Sequence, residues 1–386
     1  MPSVMAYRAL AATALVGLLA GCSGGSQLSP SGNIGADSAS HQASLASKFG
    51  GAGRNALIAR INSDSRTAGS YGKPFLSAKS NLMVELNKNA IRASRRHFYP
   101  FKKTKPNSTL LFVSDGTTED IYVYSTATGD VIGTVTGAGG GGIATNVKGQ
   151  LAAGTINPST DGGEINTYTV TSDGATANNV TLTLSSGFPD GITYDAKGDI
   201  YASDFPSSNV DFFDAATVAS GGSATKTYTL PDFEYVYYVQ AFGNKIYVDG
   251  DTSEGFGVGE LTKKGDKVLI NGIVDPVEDA GFPGGLVIDS KKNITVDDQY
   301  GSIATYAPPY TGSPTHIVEW GFDPNDYTGI ALDYLQENVY GVDINFGGSQ
   351  LQGYPTPFTY PDLVEGSNWQ SSGEGPIDDA TYLPGK

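Results

Sequence analysis

Six aspartates stand at recurring places in the second part of the chain. Asp190 and Asp378 share one place in a repeated pattern; Asp115, Asp204, Asp298 and Asp343 share another. Carboxylates brought together repel, so a bound cation or solvation must offset them. Oxygen ligands of this kind suit a hard ion, Ca²⁺ or Mg²⁺. An aspartate at a strand end has a second use, because its carboxylate can take up nearby backbone N–H groups in an Asx turn. Type and spacing leave both readings open. Aromatic residues form a second candidate set. Tyr235, Tyr237 and Tyr238 lie in one loop and strand, with Phe233 nearby, and Phe188 and Phe282 sit in two copies of Gly-Phe-Pro. Exposed, such rings stack on a sugar or peptide; buried, they pack between strands.

Other chemistries lack their residues. Of the histidines His41, His97 and His316, only His316 lies beyond residue 108. That argues against a histidine-based metal site and a Ser-His-Asp triad. The glycine-rich stretch Gly137–Gly142 has no following lysine of the kind a phosphate loop requires.

The elements that must position these residues are repeated hairpins. The clearest copy runs from Pro189 to Asp204 through the turn Ala196-Lys197-Gly198, and a second runs from Pro283 to Asp298. Others run from Gly329 to Asp343 and from Gly142 to Gly154, and a divergent copy runs from Tyr237 to Asp249. Gly187-Phe188-Pro189 returns as Gly281-Phe282-Pro283 after 94 residues, two periods of 47. Apolar residues alternate along each run, as in half-buried strands. Two further Thr-, Tyr- and Val-rich strands follow most hairpins, so each period predicts a four-stranded blade. The first strand, Leu110–Asp115, matches the second half of a hairpin, and the last segment, Asp378–Tyr382, matches a first half. Pairing them predicts a closed all-β ring of six blades over residues 108–386, which leaves no open sheet edge. A single monomeric ring follows.

The hairpins Pro189–Asp204 and Pro283–Asp298 resemble those of six-bladed propellers of the NHL and SMP-30/gluconolactonase-like group. The resemblance implies a channel whose mouth gathers the six aspartates. It also implies, as one possible activity, a divalent-metal-dependent lactonase in which Asp190 matches a ligand position. The glutamate and asparagine ligands of those lactonases have no clear counterpart here.

The N-terminal part reads differently. Residues 1–21 have one early positive charge and a short apolar run, ALAATALVGLLA, too short to span a membrane. The run closes on Leu19-Ala20-Gly21-Cys22, which resembles a bacterial lipobox and implies a lipid on Cys22, the one cysteine of the chain. Two or more acyl chains anchor stably. The expected location is the cell envelope: the outer membrane where the cell has two membranes, since Ser23 permits it, and otherwise the outer leaflet of the plasma membrane. Residues 22–107 read as a flexible tether with 13 basic residues against 3 acids, a net of +10. Residues 108–386 hold 10 lysines, no arginine and 37 acids, a net of −27. Such a ring repels nucleic acid. The best overall reading is a membrane-anchored binding scaffold for a protein, glycan or cationic ligand. A lactonase and a structural part of an envelope assembly are the alternatives.

Overall fold

The computed structural model describes residues 97–102, 109–116, 118–157, 162–253, 255–262, 265–271, 283–298, 302–310, 313–319, 325–345, 352–366, 369 and 376–382. The proposed leader, Cys22 and most of the proposed tether lie outside these residues, as do Phe282 and the side chains of Asp298 and Asp343.

A three-residue strand, β1 (Phe98–Pro100), precedes six sheets whose blade strands are antiparallel. Blade 1 holds β2 (Leu110–Asp115), β3 (Ile121–Ser125) and β4 (Val131–Val135). Blade 2 holds β5 (Ile143–Thr145), β6 (Gln150–Ile156), β7 (Gly163–Thr171) and β8 (Gly174–Thr183). Blade 3 holds β9 (Ile192–Tyr194), β10 (Ile200–Ser203), β11 (Asn209–Phe213) and, after helix α1 (Ala215–Ser220) and the short β12 (Gly222–Ser223), β13 (Lys226–Thr229). β12 adds to the sheet of blade 2, parallel to its outer strand β8. Blade 4 is β14 (Phe233–Phe242), β15 (Lys245–Thr252), β16 (Gly255–Thr262) and β17 (Gly265–Asn271). Blade 5 is β18 (Pro283–Ile288), β19 (Ile294–Asp298), β20 (Ser302–Tyr306) and β21 (His316–Glu319). Blade 6 is β22 (Asn325–Leu332), β23 (Asn338–Asn345), β24 (Gln352–Thr359) and β25 (Val364–Glu365).

The last strand, β26 (Pro376–Tyr382), pairs with β2 as the innermost strand of blade 1, with Ala380 opposite Phe112. Innermost strands touch in the order β26, β5, β9, β14, β18, β22 and back to β26, so the ring is closed as the sequence predicts. The structure is a six-bladed β-propeller.

One turn chemistry explains much of the repeat. Where the first strand hands over to the second, the Asp195 carboxylate accepts the N–H groups of Lys197 and Asp199. Asp289 does the same for Lys291 and Asn293, and the Asn146 side-chain oxygen for Lys148 and Gln150. Asp333 takes the N–H of Glu337. An Asx residue at this place fixes the hairpin, and with it the register of the two strands nearest the axis.

The core is divided into layers between blades. Phe112, Ile121, Ile143, Leu151 and Tyr168 pack between blades 1 and 2, and Ile165, Leu182, Ile192, Ile200 and Phe213 between blades 2 and 3. Small residues on the innermost strands let neighbouring blades meet. A Cβ on Gly142 would lie 2.3 Å from the Asp190 carbonyl oxygen, and one on Gly191 would lie 2.5 Å from the Tyr238 Cα. On Gly285 it would lie 2.6 Å from the Ile330 nitrogen. The small residue heading each repeat is therefore a contact between backbones.

β1 falls within the stretch 22–107 that reads as a tether. It pairs antiparallel with the outer strand β8, Phe98 opposite Thr176 and Pro100 opposite Gly174. The Phe101 N–H donates to the Asp173 carbonyl and the Lys102 N–H to the Ile132 carbonyl, so the segment straps blade 2 to blade 1. Phe101 is buried, with its ring 6.3 Å from that of Phe112, over Gly133. Phe101→Ala is expected to cost about 2 kcal/mol, below the usual value for a buried phenylalanine because the strap lies at an edge. Denaturant unfolding measures this, and an unchanged midpoint would show the strap to be idle.

Candidate functional site

Blade strands run alternately toward and away from one face. Loops that lead into an innermost strand, and loops that join the second strand to the third, therefore share a face, called here the mouth. Asp190 and Asp378 arrive by the first kind of connection, and Asp115 and Asp204 end second strands beside the second kind. All four are buried. The chain ends of β19 and β23 bring Asp298 and Asp343 to the same face.

The described carboxylates do different work. The Asp115 Oδ1 accepts the Thr118 N–H at 2.8 Å, an Asx turn. Asp204 accepts hydroxyl donors from Ser185 and Ser186; burial pushes its carboxyl up, the two serines draw it down, and the charge of Asp211 raises it. The Asp378 Oδ2 accepts the Ile143 N–H at 2.7 Å and so ties the innermost strand of blade 1 to that of blade 2.

Three further residues complete the centre. Asp249 on β15 and Asp297 on β19 are fully buried, and Tyr238 on β14 is nearly so. The Tyr238 phenol is held well above its ordinary range by burial and then by the charges of Asp190, Asp378, Asp249 and Asp297. Those carboxylates come from blades 3, 1, 4 and 5, and blades 1 and 4 face each other across the ring. Tyr238 therefore stands at the axis, among acids from four blades. The Asp249 Oδ1 accepts the Tyr238 N–H at 2.9 Å, and its buried Oδ2 has no hydrogen-bond partner among the described residues. Burial raises this carboxyl well above the usual range, against the lowering effect of the Tyr238 N–H, and Asp190, Asp251 and Asp378 add to the rise.

The register of β14 sets which of its residues reach this centre. Its pairing with β15 shifts between Phe233 and Tyr235 and again between Val236 and Val239. Each irregularity changes which side chains face the axis. Tyr237 and Tyr238 consequently serve different places. Tyr237 donates its hydroxyl to the Asp251 Oδ2 at 2.9 Å and packs 5.3 Å from the Phe205 ring. Phe188 is buried edge-on against Phe205 at 5.2 Å, and Tyr235 lies 6.1 Å from it, partly exposed. Phe188, Phe205, Tyr235 and Tyr237 thus form one aromatic group between blades 3 and 4.

Among the described residues, no three His, Cys, Asp or Glu side chains stand close enough together to hold a metal ion. The Ca²⁺ or Mg²⁺ that the aspartate pattern suggests finds no such cluster among the described side chains, and those of Asp298 and Asp343 lie outside them.

At the mouth of blade 1, Glu119 is pushed up to about 7 by burial and by the charge of Asp120. Glu119 and Asp249 hold a proton more tightly in the folded chain than in the unfolded one. The Glu119 contribution to stability is therefore present at mild acidity and lost as pH rises through about 7, and Asp249 acts in the same direction. The propeller should melt higher at pH 5.5 than at pH 8. Asp249→Asn keeps an acceptor for the Tyr238 N–H and removes the buried charge. It should raise stability at pH 8 by about 1–2 kcal/mol and narrow the difference between the two pH values. Parallel thermal melts check both, and a wild-type melt that is higher at pH 8 would contradict them.

No family model matches the chain, and no curated protein matches it. Solved structures do. A chain of a nidogen/laminin complex is 12% identical with a TM-score of 0.53, over 71% of this chain and 98% of that one. A protein of unknown function from Bacteroides caccae is 9% identical with a TM-score of 0.50, again over 71% and 98%. The likeness is one of fold. At such identity no site residue carries over, and the centre around Tyr238 rests on this chain's own geometry.

Proposed function

We propose that this chain is an extracytoplasmic lipoprotein, held by a lipid on Cys22, whose propeller binds a partner at its acidic mouth. The observation that carries the reading is the convergence of Asp190, Asp249, Asp297 and Asp378 around Tyr238 from four blades, with Glu119, Asp120, Asp232 and Glu234 on the same face. A partner that presents cationic groups relieves the crowding there. The lipobox-like Leu19–Cys22 supports the location, and the fold shared with a chain of the nidogen/laminin complex supports a binding role.

Capture from envelope extracts on the immobilised chain tests the reading. One cationic partner should be retained at low salt, and Glu234→Lys at the mouth should reduce its retention at least tenfold, roughly the cost of opposing like charges at an interface. Recovery of the chain alone, or equal recovery by the variant, would sink it. The competing lactonase reading has the central position of Asp190 in its favour. It would displace the scaffold if lactone hydrolysis appeared with Ca²⁺ and vanished in Asp190→Asn.

A further inference from the structure

Acids stand on both faces of the ring, but lysines stand on one. Lys148, Lys197, Lys245, Lys291 and Lys292 lie in the hairpins that join first to second strands, opposite the mouth. Several acids of that face are already engaged: Asp195, Asp289 and Asp333 hold turn backbone, and Glu260 pairs with Lys245 at 2.6 Å. Among the described residues, the mouth holds no lysine or arginine to set against Glu119, Asp120, Glu234 and Asp251, all at least partly exposed. At its centre the buried Asp249 Oδ2 has no hydrogen-bond partner among the described residues. The mouth is therefore the face that lacks cations.

The strap points to a source of them. β8 is a fourth strand and runs toward the mouth, and β1 pairs with it antiparallel. The chain therefore enters β1 from the mouth side and runs away from the mouth. Near this entry the Tyr99 hydroxyl donates to the Thr136 carbonyl at 3.2 Å, and burial and then the charge of Asp120 hold its phenol above the ordinary range. Asp120 in turn accepts the Gly137 N–H at 2.8 Å, at the mouth of blade 1. Residues 88–96, which lead into the strap, carry Lys88, Arg92, Arg95 and Arg96 and no acid. The six residues from Arg92 to Phe98 can span about 20 Å when extended. From β1 across β8, β7 and β6 to the innermost β5 is about 19 Å, four strand spacings. Arg92 is thus within reach of the axis.

We propose that residues 88–96 lie across the mouth of their own ring, with Arg95 and Arg96 on Glu119 and Asp120 and Arg92 directed to the acids of the axis. Opposite charges at that range favour ionised carboxylates and relieve their crowding. Attachment through β1 makes the contact intramolecular, so a modest affinity suffices to fill the site. The opposite face competes poorly, because its lysines repel the segment. An outside partner then reaches the mouth only by displacing these residues, which makes them a regulator of the proposed binding surface. That regulatory purpose rests on the binding reading, whereas the contact itself needs no partner.

Brief trypsin digestion of the chain from residue 22, carrying Cys22→Ala, tests the contact, with Arg60 and Arg66 as reference sites in the same chain. Cleavage follows the population of the open form when opening is fast. At low salt, cuts after Lys88 and Arg92 should be about tenfold slower than cuts after Arg60 and Arg66, a factor that a few weak ion pairs supply together. The difference should vanish in about 1 M salt, where the Debye length is about 3 Å. Read at Lys88, it should be largely lost in Arg95→Glu with Arg96→Glu, a variant that leaves the ring untouched. It should be largely lost as well in Glu119→Gln with Asp120→Asn, whose ring is checked by circular dichroism. Equal cutting at low salt would overturn the proposal. So would protection that survives salt and both variants, since the segment would then be folded by itself and not held by the mouth. Protection that grows with protein concentration would place a second copy's segment on the mouth and overturn the contact within one chain. Failure of the capture from envelope extracts leaves these rates unchanged, so the two readings fall separately.

Discussion

A chain ending at residue 375 is expected to lose cooperative folding altogether. The missing segment is β26, which closes the ring by pairing with β2 and by touching β22 and β5 on either side. Its loss uncovers Leu111, Phe112 and Val113, all fully buried, and leaves β2 as an open edge. It also removes the Asp378 acceptor for Ile143 and the Thr381 Oγ1 hydrogen bond to the Leu332 carbonyl at 2.6 Å. The combined cost should exceed about 5 kcal/mol, the lower end of a domain's whole stability. Circular dichroism during heating should show no sigmoidal transition, and a synthetic peptide of residues 376–386 should restore one in trans. A truncated chain that melts within a few degrees of the full one would show that the ring does not depend on this strand.

The second large effect is expected from single methyl groups. Gly142→Ala and Gly191→Ala place a Cβ 2.3 Å from the Asp190 carbonyl oxygen and 2.5 Å from the Tyr238 Cα. Backbone lies on both sides of each contact, so relief requires two innermost strands to separate, and the layer between their blades opens with them. Each substitution should cost about 3 kcal/mol, the upper range of overpacking. Gly243→Ala is the control. A Cβ there meets nothing within 4 Å, and only the positive φ of 64° opposes it, for about 1 kcal/mol. Denaturant midpoints should therefore separate the first two variants from the third. Equal midpoints would mean that the innermost strands yield easily and that the axis is not tightly closed at this level.

Much of the ring was legible in the sequence because the hairpins repeat a physical device. Alternating apolar residues mark the strands, an Asx residue fixes each turn, and a small residue marks the meeting of two backbones. Those signals located Pro189–Asp204, Pro283–Asp298 and the closure between Leu110–Asp115 and Asp378–Tyr382. Strands β16 and β24 carried weaker signals. β16 reads Gly-Phe-Gly-Val-Gly, and β24 contains Pro355 and Pro357, residues that argue against an interior strand. The strap β1 has three residues, ends in proline and sits in a basic stretch, so only the groove between blades 1 and 2 defines it. The mouth was half legible. Asp190 and Asp378 follow from the repeat, and Tyr238 and Asp249 lie in its divergent copy, but the register shifts of β14 and the burial that bring them and Asp297 together are not encoded in a pattern of residue types. Asp297 stands directly before Asp298, so the second acid of that pair was the available signal.

Charge ties the parts together. The arginine-free ring is strongly acidic and the segment before it is basic, so a negatively charged surface repels the first and attracts the second. On the proposed reading, a lipid on Cys22 makes the attachment permanent, and the charges hold the acidic ring away from the surface. The most direct measurement is mass spectrometry of the N-terminal peptide of the protein purified from envelopes, together with a high-salt wash of the membranes. The account predicts a mature chain that begins at Cys22 with a diacylglyceryl group on its Sγ, and a protein that stays with the membrane in high salt. A chain that retains Met1, a free Cys22 thiol, or release of the protein by salt alone would contradict it.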